Sequence, residues 1–463
     1  MTEQLKLKLN DSKATRWGAL VIVAFTMMAA YYVNDVVAPL KTMLETDLAW
    51  SSTDFGFFTG GYSFLNVFFL MLIWGGLILD RFGIRFTGKL ATILMVGGTA
   101  LEYYAMTGLA GTDATLFGID EIFGSKTGVV VAFAGYSIFG VGAEVAGITV
   151  SKIIAKWFKG KELATAMGVQ VALARIGSQA GYAVAIPLAR AFGISTPVLL
   201  GLVLLLSGMI AFFVFTVMDK KLDKQMEAAA IAAGTEDEEE KFSFKDVKNI
   251  LVNPGFWLIA LLCVLFYSCV FPFQKFASEL MIIKYGINEN VAGTFAGLPA
   301  LGALILTPVF GGFIDKRGKS ASIMLLGSAM LICVHFIYAI PDINYWLVAI
   351  VLMIILGIAF SLVPSAMWPA VAKIFPVSQL GTAYALIFFI QNIGLWGIPT
   401  LIGWVLDAYC ISGKKPDGTN MYDYTVPMCI FTGIACLSLV VALLLKKADR
   451  KYGYKLEEPN IQK

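Results

Sequence analysis

Charge is scarce in this chain and histidine scarcer still: 14% of the 463 residues are Asp, Glu, Lys or Arg, and His335 is the single histidine. The six cysteines, Cys263, Cys269, Cys333, Cys410, Cys429 and Cys436, show no metal-ligand spacing. These shortages argue against a metal centre and a disulfide framework. No nucleophile stands beside a base and no histidine or carboxylate cluster shows metal spacing, so neither an enzyme nor a cofactor is expected. A net charge of +3 calls for no nucleic-acid partner. Polar stretches are equally rare, and the one long example, 219–250, is too short for a signalling domain.

Apolar residues fill the space, at 58% of the chain with a mean hydropathy of +0.77. Read against the ~20 residues that one helical crossing of a bilayer needs, the apolar runs predict twelve spans. They start near Trp17, Asp54, Phe86, Gly128, Leu163, Pro197, Gly255, Val291, Ser320, Tyr345, Leu380 and Tyr424. The first is too long and too late for a cleaved signal peptide. Most of the 35 basic residues fall in the N-terminus, the even-numbered turns, the central linker and the tail, which puts both termini in the cytoplasm. The expected fold is an all-α membrane protein of twelve transmembrane helices in two six-helix pseudo-repeats. Its divisions are a cytoplasmic N-terminus (1–16), a first bundle (17–218), a linker (219–254), a second bundle (255–446) and a tail (447–463). The lipid bilayer is its obligate surrounding. In the linker, the acidic run Glu236 to Glu240 should stay solvated, and the stretch after Phe242 suits an amphipathic surface helix.

Two charges stand at mid-span in neighbouring helices, Glu144 in span 4 and Arg175 in span 5. Each costs roughly 2.5–3.5 kcal/mol on insertion scales, so by default it faces the bundle interior and marks a substrate path. Gly140, Gly147 and Ser151 share the face of Glu144 and predict close packing there, while Ser178, Gln179 and Tyr182 form a polar stripe with Arg175. Counted at ~1.5 Å per residue, Arg175 lies near the midplane and Glu144 roughly 6 Å toward the cytoplasm, about the reach of a short peptide. A guanidinium can grip a carboxylate through two parallel hydrogen bonds, so an acid and a base suit a zwitterion. The competing reading is a structural ion pair between spans 4 and 5.

Other intramembrane groups leave alternatives open. Asp35 could be a second ammonium ligand, a proton carrier or a buried cap. Glu102 is expected to snorkel to the headgroups. Lys275 and Glu279, four apart on span 7, permit a helical ion pair at an outer gate, with Lys275 also a candidate ligand. His335 reads as packed. Tyr267, Phe271 and Phe273 in span 7, Trp368 in span 10, and Gln391 and Asn392 in span 11 stand at plausible depth to hold side chains and a peptide bond. Pro272, Pro364 and Pro369 suggest a hinge.

One motif recurs in both halves. GLILDRFGIR occupies 76–85 and GFIDKRGK occupies 312–319, each closing the second span of its half, which reads as an ancient duplication. Gly76 and Gly83 permit a tight turn and close helix contact, and Asp80 can pair with nearby arginines or a helix terminus. This pattern resembles the signature of the major facilitator superfamily. The resemblance implies a conformational latch built from Gly76, Asp80, Arg81, Gly83 and Arg85, with Asp315 and Lys316 as the second-half counterpart, favouring the outward-facing state.

A closer resemblance runs through WFKGKELATAMGVQVALARIGS (157–178), FPF (271–273), WPAVAKIFPVSQLGTAYALIFFIQNIGL (368–395), and Asp35 followed by Tyr62, Ser63 and Asn66. These stretches are similar to the lysosomal dipeptide uniporter branch of that superfamily. The branch implies dipeptide transport, the acid of span 4 (Glu144) meeting the peptide ammonium and the arginine of span 5 (Arg175) its carboxylate. Residues 1–16 show no dileucine sorting signal, which points to a bacterial inner membrane, the lysosomal membrane being the alternative. The expected mechanism is alternating access about a midplane site, as a uniporter. Proton-coupled transport of small organic anions, with Arg175 as ligand and Glu144 as proton site, is the alternative, and an accessory subunit is left open.

Overall fold

The computed structural model describes residues 8–110, 115–116, 118–122, 124–158, 161–233 and 244–459. The acidic run Glu236 to Glu240 lies outside them. Runs of apolar residues long enough to satisfy every backbone group internally form helices, as a bilayer requires. The helices are α1 (Lys13–Val36), α2 (Lys41–Asp47), α3 (Ser52–Phe68), α4 (Met71–Ala105), α5 (Thr127–Trp157), α6 (Leu163–Phe192), α7 (Thr196–Ala233), α8 (Phe244–Val252), α9 (Pro254–Tyr285), α10 (Glu289–Ala296), α11 (Leu298–Arg317), α12 (Ser320–Ala339), α13 (Trp346–Ile374), α14 (Val377–Tyr409) and α15 (Thr425–Tyr452). Two short hairpins, β1 (Glu121–Ile122) with β2 (Ser125–Lys126) and β3 (Ile411–Lys414) with β4 (Asn420–Tyr422), cap outer turns.

Among the described residues, nine helical stretches are long and apolar enough to cross a membrane. The other three crossings are less regular. The second span is broken: Leu70, with φ of 55°, separates α3 from α4, and the two axes meet at 58°. Gly83, at φ of 75°, then divides the second span from the third inside α4, a conformation that glycine adopts without strain. The remaining crossing is α6, whose alanine, glycine and mid-helix Arg175 dilute its apolar character. The chain is thus a twelve-helix membrane fold. Pro272, Pro364 and Pro369 lie within helices that run through them unbroken. Past residue 218, α7 continues as helix to Ala233, because Asp219 and Leu222 are buried against neighbouring helices. The surface helix foreseen after Phe242 is α8.

Close crossings at small residues set the helix packing. Gly177 and Gly181 of α6 press on backbone atoms of Met28 and Tyr32 in α1, and Gly140 of α5 presses on the Tyr62 carbonyl of α3. Between the halves, Gly56 of α3 meets Gly403 and the Pro399 carbonyl of α14. In the second half, the segment after α15 folds back onto α12 and α13. Leu456 is fully buried, the Glu457 carboxylate accepts from the Ser322 backbone and hydroxyl at 2.8 and 3.0 Å, and the Lys373 ammonium donates to the Glu458 carbonyl at 2.6 Å.

Candidate functional site

Glu144 and Arg175 are each half-buried on the inner faces of α5 and α6, and they do not pair with each other. The Glu144 Oε1 accepts from the Tyr62 hydroxyl at 3.0 Å. Arg175 forms no ion pair among the described residues. Its guanidinium instead lies over two aromatic rings, Phe360 of α13 at 4.9 Å and Tyr31 of α1 at 5.7 Å from the ring centroids. Tyr31 is within electrostatic reach of both charges. The structural ion pair between spans 4 and 5 is therefore not formed, and two opposite charges stand separately in the interior. The small residues beside Glu144 do not all serve close packing. Gly140 does, but a side chain at Gly147 would touch only Met27 Cε at 3.9 Å, and Ser151 is exposed.

The second half supplies a connected set of aromatic groups. Tyr267 stacks on Phe271 at 5.5 Å, and Phe360 meets Phe271 edge-on at 5.3 Å. Trp368, half-buried, stacks on Phe388 at 4.8 Å, donates from Nε1 to the Tyr267 hydroxyl at 3.4 Å and accepts at its carbonyl from Tyr384 at 3.0 Å. Gln391 accepts from the Cys263 thiol at 3.3 Å, while Asn392 donates to the Phe388 carbonyl and leaves its own oxygen unpaired. Asn66 is buried with both amide atoms unpartnered. Gln179 donates to the Thr294 carbonyl of α10 at 3.3 Å.

Several expectations need correction. Phe273 is fully buried among His335, Tyr338 and Phe431, so it belongs to the packing of the second half and not to a ligand surface. Glu102 does not snorkel. It is fully buried with both carboxylate oxygens unpartnered, closed in because α5 presents Gly135 there, whose added Cβ would lie 2.8 Å from the Glu102 nitrogen. Lys275 and Glu279 do not pair along α9. Lys275 crosses to the first half, donating to the Asn34 carbonyl at 2.6 Å and to Asp35 Oδ1 at 3.1 Å. Asp35, expected to meet an ammonium ligand, is occupied by that lysine. Glu279 is bonded by the Lys41 ammonium and, at 2.5 Å, the Tyr424 hydroxyl, with Lys415 at 3.5 Å. Gly76 makes no close contact. The packed glycine is Gly75, against Val145.

These crossings have a side. Asp35–Lys275, Lys41–Glu279, Arg190 with Glu289 and Asn290, and Asp407 with Ser52 and Thr53 all join the halves at the end that carries the two hairpins. At the other end the described pairs stay within one half. Lys152 meets Asp80 at 3.0 Å, Arg85 meets Asp219 and Asp223 at 3.1 and 2.5 Å, and Lys156 meets Asp219 at 2.7 Å. Arg81 lies over the Phe82 ring at 5.5 Å, Lys316 is exposed, and Asp315 is half-buried at the matching turn. Asp80 thus takes a lysine of α5 as its partner and not a nearby arginine. The described ion pairs between the halves thus gather at the hairpin end.

Twelve crossing helices around a charged interior are the architecture of a membrane carrier. A profile described as Major Facilitator Superfamily matches residues 20–399 and 276–458, and the chain belongs to that superfamily of transporters. Among curated relatives, the human lysosomal dipeptide transporter MFSD1 (Homo sapiens) is 28% identical over 454 residues, covering 95% of this chain and 88% of the relative. The chicken protein of the same name (Gallus gallus) is 32% identical over 287 residues, 59% of this chain and 62% of its own. Among solved structures, the nucleoside transporter NupG aligns with a TM-score of 0.67 at 12% identity over 92% of this chain and 98% of its own. The peptide transporter POT aligns at 0.66 and 14% identity over 95% and 94%. The substrate of such a carrier is a small molecule, and the protein is an integral multi-pass membrane protein.

Proposed function

We propose that the protein carries dipeptides or similar short zwitterionic peptides by alternating access, as a uniporter, with Glu144 receiving the ammonium and Arg175 the carboxylate. The observation that carries this reading is the guanidinium of Arg175, held between aromatic faces without an anionic partner while Glu144 keeps one oxygen free of described hydrogen bonds. A bound zwitterion supplies both missing partners at once, and the bidentate geometry of arginine suits a terminal carboxylate. The printed names of the relatives favour the same substrate class. Tyr62, Gln179, Tyr267, Trp368, Gln391 and Asn392 are assigned to the surrounding surface, with Asn66 one helical turn beyond Tyr62 on α3. The halves 17–218 and 255–446 rock against each other. The turn motifs, Gly83 with Asp80, Arg81 and Arg85 in one half and Asp315 with Lys316 in the other, bias the equilibrium between states.

Arg175→Ala should abolish dipeptide uptake into liposomes while leaving the purified protein folded, and normal uptake by that variant would refute the assignment. Dipeptides at 100 times their dissociation constant should stabilise the parent by about 2.7 kcal/mol, and end-blocked peptides should not. Stabilisation by mono-anions without an amine would favour the organic-anion carrier instead. For residence, the relatives' names favour a lysosomal membrane, and a bacterial inner membrane is the other reading. Fractionation of the source cells decides between them.

A further inference from the structure

We infer that Phe360 is a positioning residue for substrate recognition, holding the guanidinium plane of Arg175 across the boundary between the two halves so that its N–H edges face the bound carboxylate. The inference rests on the proposed role of Arg175 and extends it to a residue that touches no expected ligand atom.

A long arginine side chain has four rotatable bonds, and an unpaired one in an open interior samples many directions. Ordering it costs entropy that the ligand must otherwise supply. Here the ordering is built in. Phe360 of α13 lies under the guanidinium carbon at 4.9 Å and Tyr31 of α1 at 5.7 Å, so the positive group sits against the negative ring faces. A guanidinium that lies flat on a ring keeps its in-plane N–H edge for parallel hydrogen bonds to a carboxylate. Phe360 is itself fixed. It is 2% exposed, meets Phe271 edge-on at 5.3 Å and Tyr267 at 6.2 Å, and those two rings stack on each other. Arg175 belongs to the first half, and Phe360, Phe271 and Tyr267 belong to the second. The carboxylate-binding group is thus aimed by the opposite half. This arrangement ties affinity for the peptide C-terminus to the relative position of the halves, because the supporting ring moves with the second half.

The test compares Phe360→Tyr, which keeps the ring, with Phe360→Leu and Phe360→Met, which keep apolar bulk without it. Dipeptide affinity is measured by thermal stabilisation of the purified full chain, using alanyl-alanine and its C-terminal amide as probes, together with KM and maximal rate in liposomes. Each variant's unliganded melting point establishes folding. The expected result is a roughly tenfold weaker affinity for the free acid in the leucine and methionine variants, seen in KM more than in maximal rate. At 1.4 kcal/mol per factor of ten, this lies inside the ~0.5–2 kcal/mol range of a cation over an aromatic face. The tyrosine variant should match the parent, and the already weak affinity for the amide should not change. Parental affinity in both non-aromatic variants, with Arg175→Ala inactive, overturns this inference and leaves the carboxylate role standing. Equal losses for acid and amide also overturn it, since they mark a general packing effect. Undiminished uptake by Arg175→Ala removes both.

Discussion

At the scale of the residue, charge inside the bilayer is the most readable property of this chain. Glu144 and Arg175 stand out because an ionised group at that depth has few structural excuses, and both are found half-buried in the interior. Replacing Glu144 by glutamine keeps the Tyr62 contact but removes the negative charge. Affinity for free-amine dipeptides should fall roughly ten- to hundredfold, from the ~1.5–3 kcal/mol of a hydrogen bond to a charged group, while N-acetylated dipeptides are unaffected. Calorimetry with the two peptide sets checks this. Phe360 and Tyr31 were not legible in the same way. With 34 phenylalanines and 17 tyrosines, an aromatic residue at any depth carries no signal, and its importance appears only when a guanidinium is found over it. The partners of Lys275 and Glu279 were hidden for a related reason. Spacing along one helix makes them neighbours, whereas the competing partners Asp35 and Lys41 come from elements far away in sequence.

At the scale of the element, the spans were legible wherever apolar length alone decides, and less so at their ends. Periodicity cannot show that α3 and α4 meet at an angle, or that α7 outlasts the membrane. The second case follows from Asp219, whose carboxylate accepts from Lys156, Trp157 and Arg85 and so draws the helix onward. The start of α1 is held by a different pair of contacts. Asp11 is bonded by the Lys161 ammonium at 2.8 Å, and Glu162 by the Arg16 guanidinium at 2.9 Å. The Asp11 carboxyl is held below its ordinary value by the Lys161 hydrogen bond first and the Lys8 backbone second. That of Glu162 is held below its own by a backbone hydrogen bond first and Arg16 second. Carboxyls depressed in the folded state contribute stability above their unfolded values near 4, and that contribution is lost as pH falls through the lowered ones. Amide exchange at the first turn of α1 should therefore quicken as pH drops from 5 toward 3, after correction for intrinsic rates, and a flat protection profile would count against these anchors. At the outer crossing, a Cβ on Gly403 would lie 2.3 Å from the Ser52 carbonyl. Gly403→Val should push α14 off α3, raising the labelling of a cysteine placed at Thr53 by a membrane-impermeant reagent.

At the scale of the molecule, the junction of the halves at the hairpin end is a set of buried opposite charges. Lys41, Glu45, Glu279 and Lys415 come from α2, α9 and the β3–β4 hairpin, and Lys41 and Glu279 are almost wholly shielded from solvent. Removing one member leaves an uncompensated buried charge, at a cost of about 3–5 kcal/mol. Lys41→Met should therefore lower the melting point and increase outer-side labelling, and Lys41→Met with Glu279→Met should recover part of the loss. A double variant no better than the single would show that the two charges act independently. Glu279 was legible as a gate residue but with the wrong partner, and Lys41 and Lys415 were not legible, because they stand in connections between spans where lysine is ordinarily solvated.

The folded-back segment after α15 sets an order of events during synthesis. The first turn of α12 presents backbone donors that are met by Glu457, more than a hundred residues later in the chain. Until translation has passed that glutamate, those donors must look elsewhere, so the second half reaches its finished form only after its final helix has been threaded into the membrane. Quality control that samples the nascent protein before that moment meets an α12 whose entrance is still unsealed.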